Sequence, residues 1–270
     1  MEHLLYIPVL IIYAGLALSH LLPMYVGDGL RRQSRFFALI AVFVHMSVLV
    51  VNATVHSGVP GFPEALSTAA LGVMAAYAFV SGEKTNVLGL FLTPIATVLL
   101  GISLVAPRHR IEAAVDVTTS PWLPIHLGLV FAGLGGFALA FAVGCAYLFV
   151  RHRLKQKRIG GLFRFPSLEL LDRIQFRATL SGFVFLTLGI AAGGAWAAAS
   201  LELERTWTWD PKVLFTILIW VWYAVALQLR LVRGWRGRWA ALFSIVGFIA
   251  VVFSLVLFNF VSSGWHTYGT

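Results

Sequence analysis

Cysteine and charge are what this sequence has least of: one cysteine in 270 residues, and only 11% Asp, Glu, Lys and Arg together. The lone Cys145 excludes an internal disulfide or a thiolate cluster built within the chain, so ligands for a metal or cofactor must come from histidine or oxygen groups. Scarce charge excludes a soluble domain of this length, whose composition would run to about a quarter charged residues. Met1-Glu2-His3 runs straight into an apolar segment without a basic leader or a small-residue cleavage site, so the first segment is expected to remain as a span. Acidic residues are scarcer than basic ones, 11 against 20, and the net charge is +9. In so apolar a chain the distribution of that charge matters more than its sum.

What is present is hydrocarbon: 59% hydrophobic residues and a mean hydropathy of +0.87. Apolar runs near residues 4–24, 36–55, 65–81, 86–105, 122–150, 176–200, 213–232 and 239–261 are each bounded by charge, Pro or Gly. Backbone in lipid must satisfy its own hydrogen bonds, so runs of this length predict helices. The fold class is therefore all-α, a polytopic membrane protein with about eight transmembrane helices, taken as a single integral membrane domain over 1–270. Eight spans sort the cations onto two sides. Arg31, Arg32, Arg35, Lys84, the basic residues from Arg151 to Arg177, and Arg230, Arg233, Arg236 and Arg238 fall on one; Arg108, Arg110, Arg205 and Lys212 fall on the other. The positive-inside rule then puts both termini outside, with WTWDPK (207–212) on the outer face. The basic inner loop of about 151–175 reads as a stop-transfer and lipid-headgroup segment, with no nucleic-acid role, because no aromatic-basic platform accompanies it.

Topology sorts the eight histidines by depth. His126 lies about one turn into span five from the outside, and His266 lies just beyond the outer end of span eight, so the two share one level. Two neutral imidazoles at one level are what axial ligation of a haem iron requires, although interface histidines beside tryptophan are also common. Trp122, Trp196, Trp207, Trp209 and Trp265 gather at the same boundary, where an aromatic belt is ordinary. WTWDPK is more ordered than a belt: Asp210 can cap a helix whose first residue is Pro211, which would hold Trp207 and Trp209 as a shelf. Such a shelf could stack on a flat macrocycle, with Lys212, Arg205 or Arg108 facing carboxylates. His45 in span two and His20 in span one form a second conceivable pair, or are packed residues hydrogen-bonded within the bundle.

Trp207-Thr208-Trp209-Asp210-Pro211-Lys212 resembles the WWD signature of the haem-handling proteins of cytochrome c biogenesis, closest to the CcsA (ResC) branch of system II. The likeness extends to SLELLDRIQFRATLSGFVFLTLGIAAGGAWA (167–197), GWRGRWAALFSIVGF (234–248), SGWHTY (263–268) and WLPIHL (122–127). It implies that His126 and His266 are axial ligands of an outward-facing haem b, the metal in question being its iron. A WWD loop at about 197–212, between helices six and seven, would hold its edge through Trp196, Trp207, Trp209, Asp210 and Lys212, with His45 as a further candidate. It also implies attachment of that haem to apocytochrome c, a CcsB (ResB)-like membrane partner completing a holocytochrome c synthase (haem lyase), and residence in the bacterial inner membrane with the loop on the periplasmic side. Whether the chain ligates haem or only presents it stays open. The pattern departs from the family at Val213, where Glu is usual, and at Gln228, where a histidine is frequent. Two rival classes are a membrane transporter, against which stands the absence of paired broken helices in matching halves, and a haem b electron-transfer subunit, which would stack histidine pairs within the spans.

Overall fold

The computed structural model describes residues 2–22, 33–55, 61–106, 120–157, 165–199 and 210–261. Among them are eight α-helices and no strand: α1 (Glu2–Leu21), α2 (Ser34–Val55), α3 (Phe62–Val80), α4 (Gly89–Val105, entered through a 3₁₀ turn at Asn86–Leu88), α5 (Trp122–Lys155), α6 (Leu168–Ala199), α7 (Pro211–Arg233) and α8 (Arg238–Val261). Seven, α2 to α8, are long and apolar enough to cross a bilayer, while the apolar part of α1, Leu5–Leu21, is shorter. The protein is a polytopic helical membrane protein.

Most helix limits lie within a few residues of the apolar runs, but α6 starts at Leu168, well inside the stretch expected to be loop. Ser167 begins it, its hydroxyl accepting from the Leu170 amide at 3.2 Å. The first two turns keep Leu171 and Gln175 buried and turn Glu169 and Arg173 outward as an i,i+4 ion pair, 3.0 Å apart. Charge there marks an exposed helical face rather than a break in the helix. At its other end α5 runs on to Lys155, so the basic inner connection is shorter than its composition implied.

The helices fall into two groups of four. In the first, α1 packs on α2 and α4, and α3 on α2 and α4; in the second, α5 packs on α6 and α8, and α7 on α6 and α8; α3 and α5 join the groups. Lipid gives helices no hydrophobic reason to associate, so close van der Waals packing through small residues must supply it. That is how α5 is held. A Cβ at Gly72 of α3 would stand 2.5 Å from the Phe131 carbonyl oxygen of α5, and one at Gly136 of α5 would stand 2.8 Å from Gly182 Cα of α6. Both contacts are backbone against backbone, and alanine at either would push the helices apart.

The antiparallel register of α6 and α7 is pinned at two heights. Arg230 reaches Asp172 Oδ2 at 2.7 Å, and Trp220 stacks on Phe183 with centroids 5.3 Å apart. Carried to the far end at 1.5 Å per residue, that register sets the start of α7 level with Ala192 of α6.

Candidate functional site

Pro121 is the N-cap of α5 and Pro124 stands in its first turn, where no helical N–H is lost, and His126 follows as the turn closes. Its side chain turns towards α6. Nδ1 lies 2.8 Å from the Gly189 carbonyl oxygen. A carbonyl only accepts, so Nδ1 carries a proton, and in the neutral form of the ring Nε2 is the basic nitrogen. A backbone carbonyl on the far nitrogen of an imidazole is the arrangement that fixes tautomer and orientation in metal-binding histidines.

The approach depends on α6 having no side chains there. A Cβ at Gly189 would lie 2.8 Å from Val130 Cγ2, and one at Gly193 would lie 2.8 Å from His126 Nδ1 and 2.9 Å from Cε1. One turn further along α6 is Trp196, its ring centroid 6.3 Å from that of His126 and tilted by 36°. The Trp196 indole Nε1 is buried and, among the described residues, has no hydrogen-bond partner. Indole nitrogens normally find an acceptor when buried, so this N–H fits a bound group that brings one.

Asp210 is 3% exposed and caps α7 as its sequence position indicated. Its Oδ1 accepts from the Lys212 amide at 2.8 Å, and Pro211 occupies the first helical position. The α6–α7 register puts this cap at the same end of the bundle as His126, Gly193 and Trp196. Trp207, Trp209 and His266 lie outside the described residues.

His45 is placed differently. It is fully buried in the first helix group, with Tyr13 Oη 2.9 Å from Nδ1 and Ser67 Oγ 2.9 Å from Nε2, so both ring nitrogens are engaged by protein. Iron ligation there would have to break one of these bonds. His20, also buried, has Nε2 2.7 Å from Tyr77 Oη; that hydroxyl lies 2.7 Å from Asn86 Oδ1 and 3.0 Å from Ser34 Oγ. Along α1, Tyr13 and His20 are seven residues apart, about 10 Å in height, whereas imidazoles sharing one metal need their nitrogens about 4 Å apart. Gln228 is exposed on α7.

Sequence reading passed over Gly189 and Gly193. The signal was present in GIAAGG, glycines four apart on one face ahead of a tryptophan, a spacing that admits a neighbouring helix.

Fold and site together define a helical membrane protein in which one half-buried, oriented histidine and a tryptophan meet at one end of a four-helix group. The comparisons with known proteins name the family. Residues 5–266 match the family described as cytochrome C assembly protein, and the chain belongs to it. Similar curated relatives are cytochrome c biogenesis proteins CcsA of Prochlorococcus marinus. That of strain MIT 9301 is 25% identical over 99% of this chain and 96% of its own length. That of strain MIT 9312 is 25% identical over 92% and 89%, and that of strain MIT 9515 is 33% identical over 57% and 55%.

Proposed function

We propose that this chain acts in cytochrome c biogenesis by holding haem b at the His126 end of the bundle for attachment to apocytochrome c. The observation that carries the reading is the hydrogen bond from His126 Nδ1 to the Gly189 carbonyl, which puts the proton on Nδ1 and orients the ring towards α6. An iron ligand needs that state, and a histidine merely lining an interface does not. Haem here is cargo, whose iron would take imidazole nitrogens as ligands.

The roles of the chain's own residues follow from their chemistry. His126 would supply one nitrogen to the iron and His266 a second. Trp196 offers an N–H to a carboxylate at the haem edge, Lys212 a cation, and Trp207 and Trp209 flat faces for the ring. Asp210 caps and fixes the start of α7. His45, bonded on both nitrogens, serves the packing of the first helix group. A CcsB (ResB)-like partner and an inner-membrane setting with the 197–212 loop on the periplasmic side complete the reading, in which the chain forms part of a holocytochrome c synthase. The relatives' names and the family membership support the role, and the His126 geometry supports the site.

Cells lacking their own CcsA, supplied with this chain and a ResB-type partner, test it through covalent haem staining of a reporter cytochrome c. The full chain is expected to restore staining and His126→Ala to abolish it at equal protein level. Undiminished staining in His126→Ala would remove the site from the reading.

A further inference from the structure

The opposite end of the second helix group carries an arrangement that haem binding leaves unused. Between α7 and α8 the chain reads LVRGWRGRW (231–239), and two glycines there take left-handed backbone, Gly234 at φ 66° and Gly237 at φ 64°. The turn is tied down from outside itself. Asp172 of α6 accepts from the Gly237 amide at 2.9 Å and from Arg230 at 3.1 and 2.7 Å, and Gly237 packs directly on the Tyr147 hydroxyl of α5. Arg230 also lies 4.7 Å over the Phe176 ring. A loop this short, with glycine at both left-handed positions and its Gly237 end bonded to a neighbouring helix, presents its side chains in fixed directions.

Asp172 is the acid in this corner, and it is occupied by Arg230 and the turn. Arg233, Arg236 and Arg238 are exposed, and among the described residues none of them has a salt-bridge partner. Three guanidiniums thus crowd into six residues without an ion pair among the described residues, and only Arg236 shares, at longer range, in the field of an Asp172 already held by Arg230. Beside them Trp235 and Trp239 lie with centroids 5.3 Å apart, Arg238 is 5.8 Å from the Trp239 ring, and Trp239 is 51% exposed. Further along both helices, away from the turn, the surface is apolar, with Val225 45% and Ile249 57% exposed on α7 and α8. Cations interleaved with interfacial aromatics at the turn, and hydrocarbon further along the helices, match the phosphate, glycerol ester and acyl chain that a phospholipid presents.

We propose that the α7–α8 turn is a binding site for an anionic phospholipid. Its phosphodiester is held by Arg233, Arg236 and Arg238, its glycerol backbone lies against Trp235 and Trp239, and an acyl chain runs down the α7–α8 surface. Guanidinium forks match the paired oxygens of a phosphodiester, and a zwitterionic headgroup would bring an ammonium into the same field. A lipid seated there would brace the ends of α7 and α8 on α6, through Asp172.

The test is native mass spectrometry of the full chain in detergent, titrated in parallel with phosphatidylglycerol and phosphatidylcholine. Retention of phosphatidylglycerol is expected to exceed that of phosphatidylcholine about tenfold or more, three cations each contributing severalfold. The preference should collapse in Arg233→Gln/Arg236→Gln/Arg238→Gln. It should persist in Arg151→Gln/Arg153→Gln/Lys155→Gln, which removes the same charge from the end of α5. Trp239→Ala, which keeps all three cations, should weaken retention of both lipids. Equal retention of the two lipids by the unaltered chain, an equal loss in both triple variants, or displacement of phosphatidylglycerol by millimolar inorganic phosphate would each overturn the proposal. The first would leave no anion preference, the second only the general field of the basic end, and the third a site for soluble anions.

Discussion

Alanine at position 193 is the smallest change that strikes the proposed haem site without touching a ligand. Its methyl group would arrive 2.8 Å from His126 Nδ1 and 2.9 Å from Cε1, well inside contact distance. Either the ring swings off the Gly189 carbonyl, ending a 2.8 Å hydrogen bond, or α5 and α6 separate. A swing forfeits about 0.5–1.5 kcal/mol of net hydrogen bonding, and separation costs about 1–3 kcal/mol of overpacking. Loss of a carbonyl that orients a metal-binding imidazole lowers affinity about 10–100-fold, so haem binding should suffer more than folding. The neighbouring glycine is the control. A Cβ at Gly194 meets nothing within 4 Å, so Gly194→Ala adds the same methyl to the same helix without consequence for the ring. Haem titration of purified Gly193→Ala and Gly194→Ala, with thermal unfolding followed by circular dichroism, reads both effects. Equal haem affinity in the two variants would refute the claim that α6 positions His126.

Other outcomes follow from contacts elsewhere. Trp196→Phe keeps an aromatic ring and removes the pyrrole part of the indole with its buried N–H, which lacks a partner among the described residues; haem affinity should fall severalfold with a stability cost of only about 1 kcal/mol for the lost atoms, and a stability loss with unchanged affinity would contradict this. Asp210→Ala removes the cap of α7 and should cost about 1 kcal/mol, measured by denaturant unfolding in detergent, with Asp210→Asn restoring most of it. Tyr13→Phe leaves His45 Nδ1 without its phenol and should destabilise by about 1–3 kcal/mol with haem content unchanged; a fall in haem stoichiometry would give His45 a role at iron. Asp172→Asn weakens the grip on Arg230 and the Gly237 amide, a group only partly shielded from solvent, and should cost about 1–2 kcal/mol by the same unfolding assay.

Much of the fold was legible because each span carries its signal locally. Seven apolar runs became spans, most with limits shifted by a few residues, and the Asp-Pro start of α7 gave both its cap and its first residue. The start of α6 was lost because charge on an exposed helical face looks like a break when burial is invisible. The tyrosine partners of the buried histidines were harder. Tyr6, Tyr13 and His20 repeat every seven residues, which announces a common face of α1, but that Tyr13 meets His45 and His20 meets Tyr77 depends on how three helices pack. The candidate site divides in the same way. The depth of His126 could be read from topology, whereas its bond to Gly189 and its neighbour Trp196 arise from the pairing of α5 with α6, some sixty residues apart.

The visible spectrum and haem stoichiometry of the purified chain, taken for the unaltered protein, His126→Ala and His266→Ala, test the central claim most directly. A reduced bis-histidine spectrum at about one haem per chain, abolished by His126→Ala and by His266→Ala, is the predicted result. Full haem content with an unaltered spectrum in His126→Ala would contradict it.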